Sequence, residues 1–246
     1  MTVTGFSDDG IDTNGTGALV SLEGVDLTDN GGFGLRAGGN VNIEGTEQRQ
    51  SLIVGNGKGG VLLEQEGTIK FADLDENGGP GITAEGAVNL IGARITNNAA
   101  EGFLFHDASG SCGTRQLSIR PPDSPTAPIR YSTISGNTGA GVFVGTGGVN
   151  VDPGTTISDN RGPGLVLLCG ALGLGDVERP GSVPVTIARN GSQQAQGEGG
   201  ACYTSDPNQD YALVETSCVG GGMILLAENR LQKSAIDDVL VADNRR

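Results

Sequence analysis

Nine times along this chain a short strand-like segment runs into an asparagine, at Asn30, Asn56, Asn77, Asn98, Asn137, Asn160, Asn190, Asn229 and Asn244. The clearest copies include Val25-Asp26-Leu27-Thr28-Asp29-Asn30, Ala72-Asp73-Leu74-Asp75-Glu76-Asn77 and Thr155-Thr156-Ile157-Ser158-Asp159-Asn160, while those ending at Asn190, Asn229 and Asn244 are weaker. Successive anchors lie 26, 21, 21, 39, 23, 30, 39 and 15 residues apart, so a unit of 21 to 23 residues repeats and is stretched by insertions. A period of that length restricts the chain to a solenoid, because one such unit cannot bury its own apolar face and must stack on its neighbours. One unbroken repeat over residues 1-246 reads as a single elongated domain.

The alternation inside a unit defines its strands. Counting from the Asn, position −3 is always Leu, Ile or Val, while −4 and −2 are mixed and often polar, as in Asp73/Asp75, Arg94/Thr96 and Thr156/Ser158. Position +4 is glycine at Gly34, Gly60, Gly81, Gly102, Gly141 and Gly164, and +5 and +7 then carry pairs such as Val61/Leu63 and Phe103/Phe105. A third strand follows in several units, as Val41-Asn42-Ile43, Val88-Asn89-Leu90 and Val149-Asn150-Val151. Such period-two patterns bury one face of each strand. Every copy runs in the same direction, so hairpins are excluded. Winding the units into a coil pairs each strand in parallel with its equivalent one turn away, ~4.8 Å distant. The predicted fold class is therefore all-β: a parallel β-helix with three short strands per coil and about nine to ten coils. The asparagines are expected to form a structural ladder, each in the left-handed conformation it tolerates at a tight corner and bonding the corners above and below.

Composition narrows the function classes. Glycine contributes 44 residues without a collagen period, so it serves turns. A formal charge of −14 disfavours nucleic acid and anionic membrane surfaces, which need clustered Lys or Arg. No stretch approaches the ~18 apolar residues of a membrane span, and Met1-Thr2-Val3-Thr4 leads directly into repeat-like sequence rather than a secretory signal. Neutral glycans, cations and protein partners remain open.

Through these Asn–x–x–x–Gly–aliphatic units the chain resembles, over nearly its whole length, the parallel β-helix repeats of the pectate-lyase-like superfamily. The resemblance implies a right-handed three-sheet solenoid, typically secreted or surface-exposed, that acts on polysaccharide or serves as adhesin or scaffold. No catalytic motif of that superfamily is present: there is no paired-Asp run with a following Gly-His-Gly and no Asp-Pro-His element. The fold hosts enzymes and inert scaffolds alike.

Breaks in the repeat mark candidate functional segments. Insertions are expected at about 106–131, which includes the Pro-rich run Arg120-Pro121-Pro122-Asp123-Ser124-Pro125, at 170–184 and at 192–222. The first two leave just past position +7, so all three are expected on one flank of the cylinder, where binding or catalysis would sit. The four cysteines, Cys112, Cys169, Cys202 and Cys218, fall in or beside these insertions. An even number outside the stacked core reads as two disulfides in an extracellular, cell-surface or periplasmic compartment, with Cys202–Cys218 and Cys112–Cys169 the favoured pairing of three. A metal site is the alternative, though no Cys-x-x-Cys spacing exists and His106 is the lone histidine. The final strand, Val239-Leu240-Val241-Ala242-Asp243-Asn244, carries full repeat character without a cap, so the chain reads as a segment of a longer protein or as docking a partner at that edge.

Candidate chemistry is sparse. Position +8 stacks Glu64, Glu85 and His106 on consecutive coils, with Asp107 beside the histidine. Adjacent carboxylates and a histidine are acid–base apparatus in outline, and equally a solvated row that keeps the rod soluble. Asp73 and Asp75 could hold a cation, calcium being the only cofactor in view, but a full oxygen shell is not evident and Arg94 is expected to pair with Asp73 across coils. Position +6 points outward yet reads Leu62, Leu104, Phe143 and Val166, interrupted by Thr83 and preceded by Arg36, a stripe to be covered by the chain's own loops or by a partner. Tyr131, Tyr203 and Tyr211 lie in or beside the insertions and make the best glycan contacts available in a chain without tryptophan. The leading expectation is a secreted or surface-exposed, non-catalytic module that binds glycan or protein through disulfide-braced loops. The rivals are a polysaccharide lyase, epimerase or hydrolase using the Glu64/Glu85/His106 row, and a purely structural rod segment.

Overall fold

The computed structural model describes residues 1–13, 15, 17–106, 116–122, 130–175 and 183–191, together with the backbone of the strands Met223–Leu225, Ala235–Ile236 and Val239–Ala242. Its described elements are all β-strands, and each pairs in parallel with the equivalent strand of the adjacent coil. The chain visits three sheets in rotation. The first holds nine strands and the second and third eight each, close to the nine to ten coils read from the repeat. Register is kept from coil to coil: Leu27 pairs with Ile53, Ile53 with Leu74 and Leu74 with Ile95 in the first sheet. Val61 pairs with Ile82 and Ile82 with Phe103 in the second.

The core is the interior of this cylinder. Inward residues at −3, +5 and +7 and on the third strands, such as Ile95, Phe103, Phe105 and Leu117, are 0% exposed. Phe103 and Phe105 stack inside it with ring centroids 6.4 Å apart. At ~25 cal/mol per Å² of apolar surface, this interior supplies the main force holding coil on coil.

The first corner, between the first and second sheets, carries the asparagine ladder. Each Nδ2 donates to Oδ1 of the next rung, from Asn30 to Asn56 at 2.9 Å and onward through Asn77, Asn98, Asn137 and Asn160 to Asn190. Its second hydrogen goes to the −3 carbonyl of the preceding coil, as from Asn56 to Leu27 O at 2.9 Å and from Asn77 to Ile53 O at 3.0 Å. Each Oδ1 also accepts the backbone N–H of the rung before it, such as Asn30 N to Asn56 Oδ1 at 3.2 Å. Both donors and both lone pairs of an internal rung are thus used, which is why these amides tolerate near-complete burial.

The corner differs from the expected one in two respects. The left-handed residue is the one before the asparagine, at Asp29, Gly55, Glu76, Asn97, Gly136, Asp159 and Arg189, with φ between 53° and 70°. The asparagine earns its place by side-chain bonding instead. The glycine at +4 has a packing reason: a Cβ on Gly102 would stand 2.5 Å from Ile134 Cγ2 and 2.8 Å from Asn137 Nδ2 of the next coil. The same holds at Gly141, 2.6 Å from Ile157 Cγ2 and 2.7 Å from Asn160 Nδ2. Asn–x–x–x–Gly is therefore a contact between neighbouring coils written within one. Met223–Leu225 pairs with Leu165–Leu167 in the second sheet. Asn229 and Asn244 themselves lie outside the described residues.

The insertions also sort differently. Gln116–Arg120, inside the segment read as an insertion at 106–131, is a third-sheet strand with Leu117 and Ile119 in the core, and Arg120 itself is paired with Ile91. Leu172–Leu174 does the same inside 170–184. Residues 106–115 therefore span the second corner, while 121–132 and 175–184 span the third; residues 192–222 connect the first sheet to the second. The single flank expected from sequence is replaced by departures at all three corners. The cause is that two short strands with three-residue and five-residue alternation were hidden inside loop-like composition.

Candidate functional site

Glu64, Glu85 and His106 sit side by side where the second sheet ends. Their backbone N–H groups donate to Ala37 O at 3.0 Å, Leu63 O at 2.9 Å and Ala84 O at 2.9 Å, which fixes them in one vertical row at the start of the second corner. All three are half-buried. Gly38 precedes the row and Gly145 follows it in the same register, so the row is three side chains long and bounded by glycine. Asp107 lies outside the described residues.

The acidic pair on the first sheet is committed elsewhere. Asp73 forms an ion pair with Arg130, two coils on, although Arg94 is its register neighbour; the expected Asp73–Arg94 pairing is thus replaced by Asp73–Arg130. Arg130 reaches it from the third corner, a position sequence spacing did not bring next to Asp73. Asp75 Oδ1 accepts from Thr96 Oγ1 at 2.6 Å and from Asn97 Nδ2 at 3.0 Å. Carboxylates holding a guanidinium and two neutral donors are poor cation ligands, because a hard cation would have to displace those bonds. Among the described residues no three His, Cys, Asp or Glu side chains group as a metal site.

On the outer second sheet the apolar stripe divides in two. Phe143 is 2% and Val166 0% exposed, and they form a second apolar cluster with Ala140 and Leu168, so this chain buries them itself. Leu62, Thr83 and Leu104 remain half-buried. Tyr131 stands at the third corner, its ring against the backbone of Gly154, where any Cβ would overlap it. It is therefore separated from the Glu64/Glu85/His106 row by the width of the third sheet. Tyr203, Tyr211, Cys112, Cys202 and Cys218 lie outside the described residues, and Cys169 stands two residues past the end of the second-sheet strand Leu165–Leu167.

Two outer ion pairs add local order. Arg189 Nε and Nη2 donate to Asp159 Oδ1 and Oδ2 at 2.6 and 2.7 Å. That hydrogen bonding holds the Asp159 carboxyl below its ordinary range against the opposing effect of burial. Lys70 Nζ donates to Glu44 Oε1 at 2.8 Å and lowers the Glu44 carboxyl likewise, first through the hydrogen bond and then through its charge.

Residues 9–170 match the family described as the right-handed beta helix region, and the chain belongs to that family. The cylinder is accordingly right-handed. No curated protein and no solved structure matches it closely enough to lend it a ligand or an activity.

Proposed function

We propose that this protein is a non-catalytic β-helix scaffold of a secreted or surface-exposed protein, a rigid rod that presents corner loops to a neutral glycan or a protein. The observation that carries the reading is the unbroken ladder from Asn30 to Asn190, which makes the body of the cylinder invariant while the connections at its corners vary in length. A body whose polar groups are spent on stacking has its recognition chemistry on the connections. The formal charge of −14 favours neutral over anionic glycans. Among the described residues no cysteine is a free thiol, which supports loops braced by disulfides in an oxidising compartment. A glycan array with purified chain tests the reading. Binding to neutral oligosaccharides supports it; new reducing ends or unsaturated products from a polysaccharide panel would refute the non-catalytic part.

A second reading rests on the register of Glu64, Glu85 and His106, three proton-exchanging side chains in adjacent coils. A polysaccharide-active enzyme built on that row would lose turnover in His106→Ala. Unchanged product formation in that variant would remove the row from consideration.

A further inference from the structure

Four ladder asparagines are followed directly by glycine: Asn30-Gly31, Asn56-Gly57, Asn77-Gly78 and Asn190-Gly191. We propose that these rungs are latent self-modification sites whose conversion to aspartate or isoaspartate is blocked by the closed ladder and released when coils separate. The chemistry needs no cofactor. The glycine nitrogen loses its proton and attacks Cγ of the asparagine. The N–Cγ bond forms, the Cγ–Nδ2 bond breaks, ammonia leaves, and water then opens the resulting succinimide at either carbonyl. Glycine in the following position makes this easiest, because no side chain hinders the attacking nitrogen.

In the coil both reacting groups are engaged. The nucleophile is held across the corner: Gly57 N donates to Asn30 O at 2.7 Å, Gly78 N to Asn56 O at 2.8 Å and Gly31 N to Phe6 O at 2.7 Å. The electrophile is held in the ladder, as at Asn56, whose Nδ2 donates at 2.9 and 3.0 Å while its Oδ1 accepts at 2.9 and 3.2 Å. Ring closure requires the glycine N–H to leave its partner and the carboxamide to rotate out of the column, so it must wait for local opening. Once formed, a carboxylate cannot donate to the next rung and isoaspartate lengthens the backbone, so the opened state is recorded irreversibly.

The rungs are not equal. Register places Phe6 above Asn30, where the other coils carry asparagine; Asn30 Oδ1 receives the Phe6 N–H at 3.2 Å but has no carboxamide rung above it. Asn30 should therefore convert first in the folded chain.

The test is peptide mapping of the whole chain during incubation at mildly alkaline pH, in buffer and in urea. Asn98, Asn137 and Asn160 serve as internal references, being buried in the same ladder but followed by Ala99, Thr138 and Arg161. Conversion at the four Asn-Gly rungs is expected to be at least about tenfold slower in buffer than in urea, with Asn30 leading in buffer. Phe6→Asn, at a residue 57% exposed and therefore outside the core, should slow Asn30 several-fold and leave Asn56 and Asn77 unchanged. Equal rates in buffer and urea, reference rungs converting as fast as the Asn-Gly rungs in urea, or an Asn30 rate indifferent to Phe6→Asn would each overturn the proposal.

Discussion

At the first corner six successive coils turn alike, with a left-handed residue, then an asparagine, then a glycine four residues on. At the third corner the chain turns with Phe71 alone, with Gly24-Val25 or Gly92-Ala93, or with residues 45–50, 121–132, 152–155 and 175–184. Backbone bonds close both corners, as from Phe71 N to Ile91 O at 2.9 Å and Gly78 N to Asn56 O at 2.8 Å. The difference is that at the first corner the side chain itself bonds the next coil, so its identity is fixed. At the third corner stacking is mostly the backbone's task, so the residue is free to vary. Phe71, with φ 48°, occupies a conformation usually left to glycine, the residue found at the equivalent turn at Gly24 with φ 52° and Gly92 with φ 57°. From Asn30 to Asn160 the first corner keeps one length while the third varies; the long connection 192–222 leaves the first corner only after Asn190.

The strongest way to break that contrast is to remove a central rung. Asn77→Ala strips acceptors from Asn56 N and Nδ2 and a donor from Ile53 O and Asn98 Oδ1, all buried. Several unmet polar groups at ~1–3 kcal/mol each, partly relieved by relaxation, give an expected loss of about 3–5 kcal/mol in equilibrium urea unfolding. Gln50→Ala at the third corner, which removes only local bonds to Thr46 O and Glu47 O, should stay within about 0.5 kcal/mol. Similar losses for the two variants would mean that the corners are not held differently.

Gly102→Ala probes the packing half of the same contrast. The added methyl meets Ile134 Cγ2 at 2.5 Å, Gly141 O at 2.7 Å and Asn137 Nδ2 at 2.8 Å, two of them buried side chains and one backbone. The expected cost is about 2–3 kcal/mol by overpacking, visible as a lowered midpoint in thermal or urea unfolding. A neutral result would show that the next coil shifts freely and that Asn–x–x–x–Gly is not a contact constraint.

This contrast also explains what could be read in advance. The strand phases, parallel pairing and ladder were legible because Leu27, Asn30, Gly34 and Leu35 each touch their equivalents, and stacking imposes the same chemistry on every copy. The third-sheet strands Gln116–Arg120 and Leu172–Leu174 were not, since beside Pro121-Pro122 and within a Gly-rich stretch they look like loop. With them went the idea of one functional flank. Arg130 as the partner of Asp73 was equally hidden: the two are 57 residues apart and only the winding brings them together. Candidate site chemistry was legible as a row at Glu64, Glu85 and His106, because register is a sequence property, but its half-buried setting at a corner was not.

Backbone strain at the first corner gives a smaller effect of opposite sign. Glu76 is exposed and holds φ 53°, which costs a residue with a Cβ roughly 1–2 kcal/mol. Glu76→Gly relieves this but gives the unfolded chain more freedom, so a net gain of about 0.5–1 kcal/mol is expected in urea unfolding. A loss of stability would show that the Glu76 side chain contributes more than its conformation costs.

The smallest expected effect compares charge at the two corners. Asp159 precedes a ladder asparagine and is paired with Arg189; Glu44 precedes the third-corner residue Gly45 and is paired with Lys70. Both carboxyls lie below their ordinary values in the folded chain. A depressed folded value means that the stabilisation is fully present above the unfolded carboxylate range, near pH 4, and is lost as pH falls through the folded value. Because the Asp159 and Arg189 side chains are 47% and 57% exposed, solvent and salt screen the pair to a few tenths of a kcal/mol. Asp159→Asn and Glu44→Gln should each flatten the acid limb of stability measured between neutral pH and pH 3, and added salt should shrink the difference from the parent chain. An acid limb steepened by either substitution would reverse the sign assigned here, and an effect confined to Asp159 would mean that ion pairs, like the amides, serve one corner and not the other.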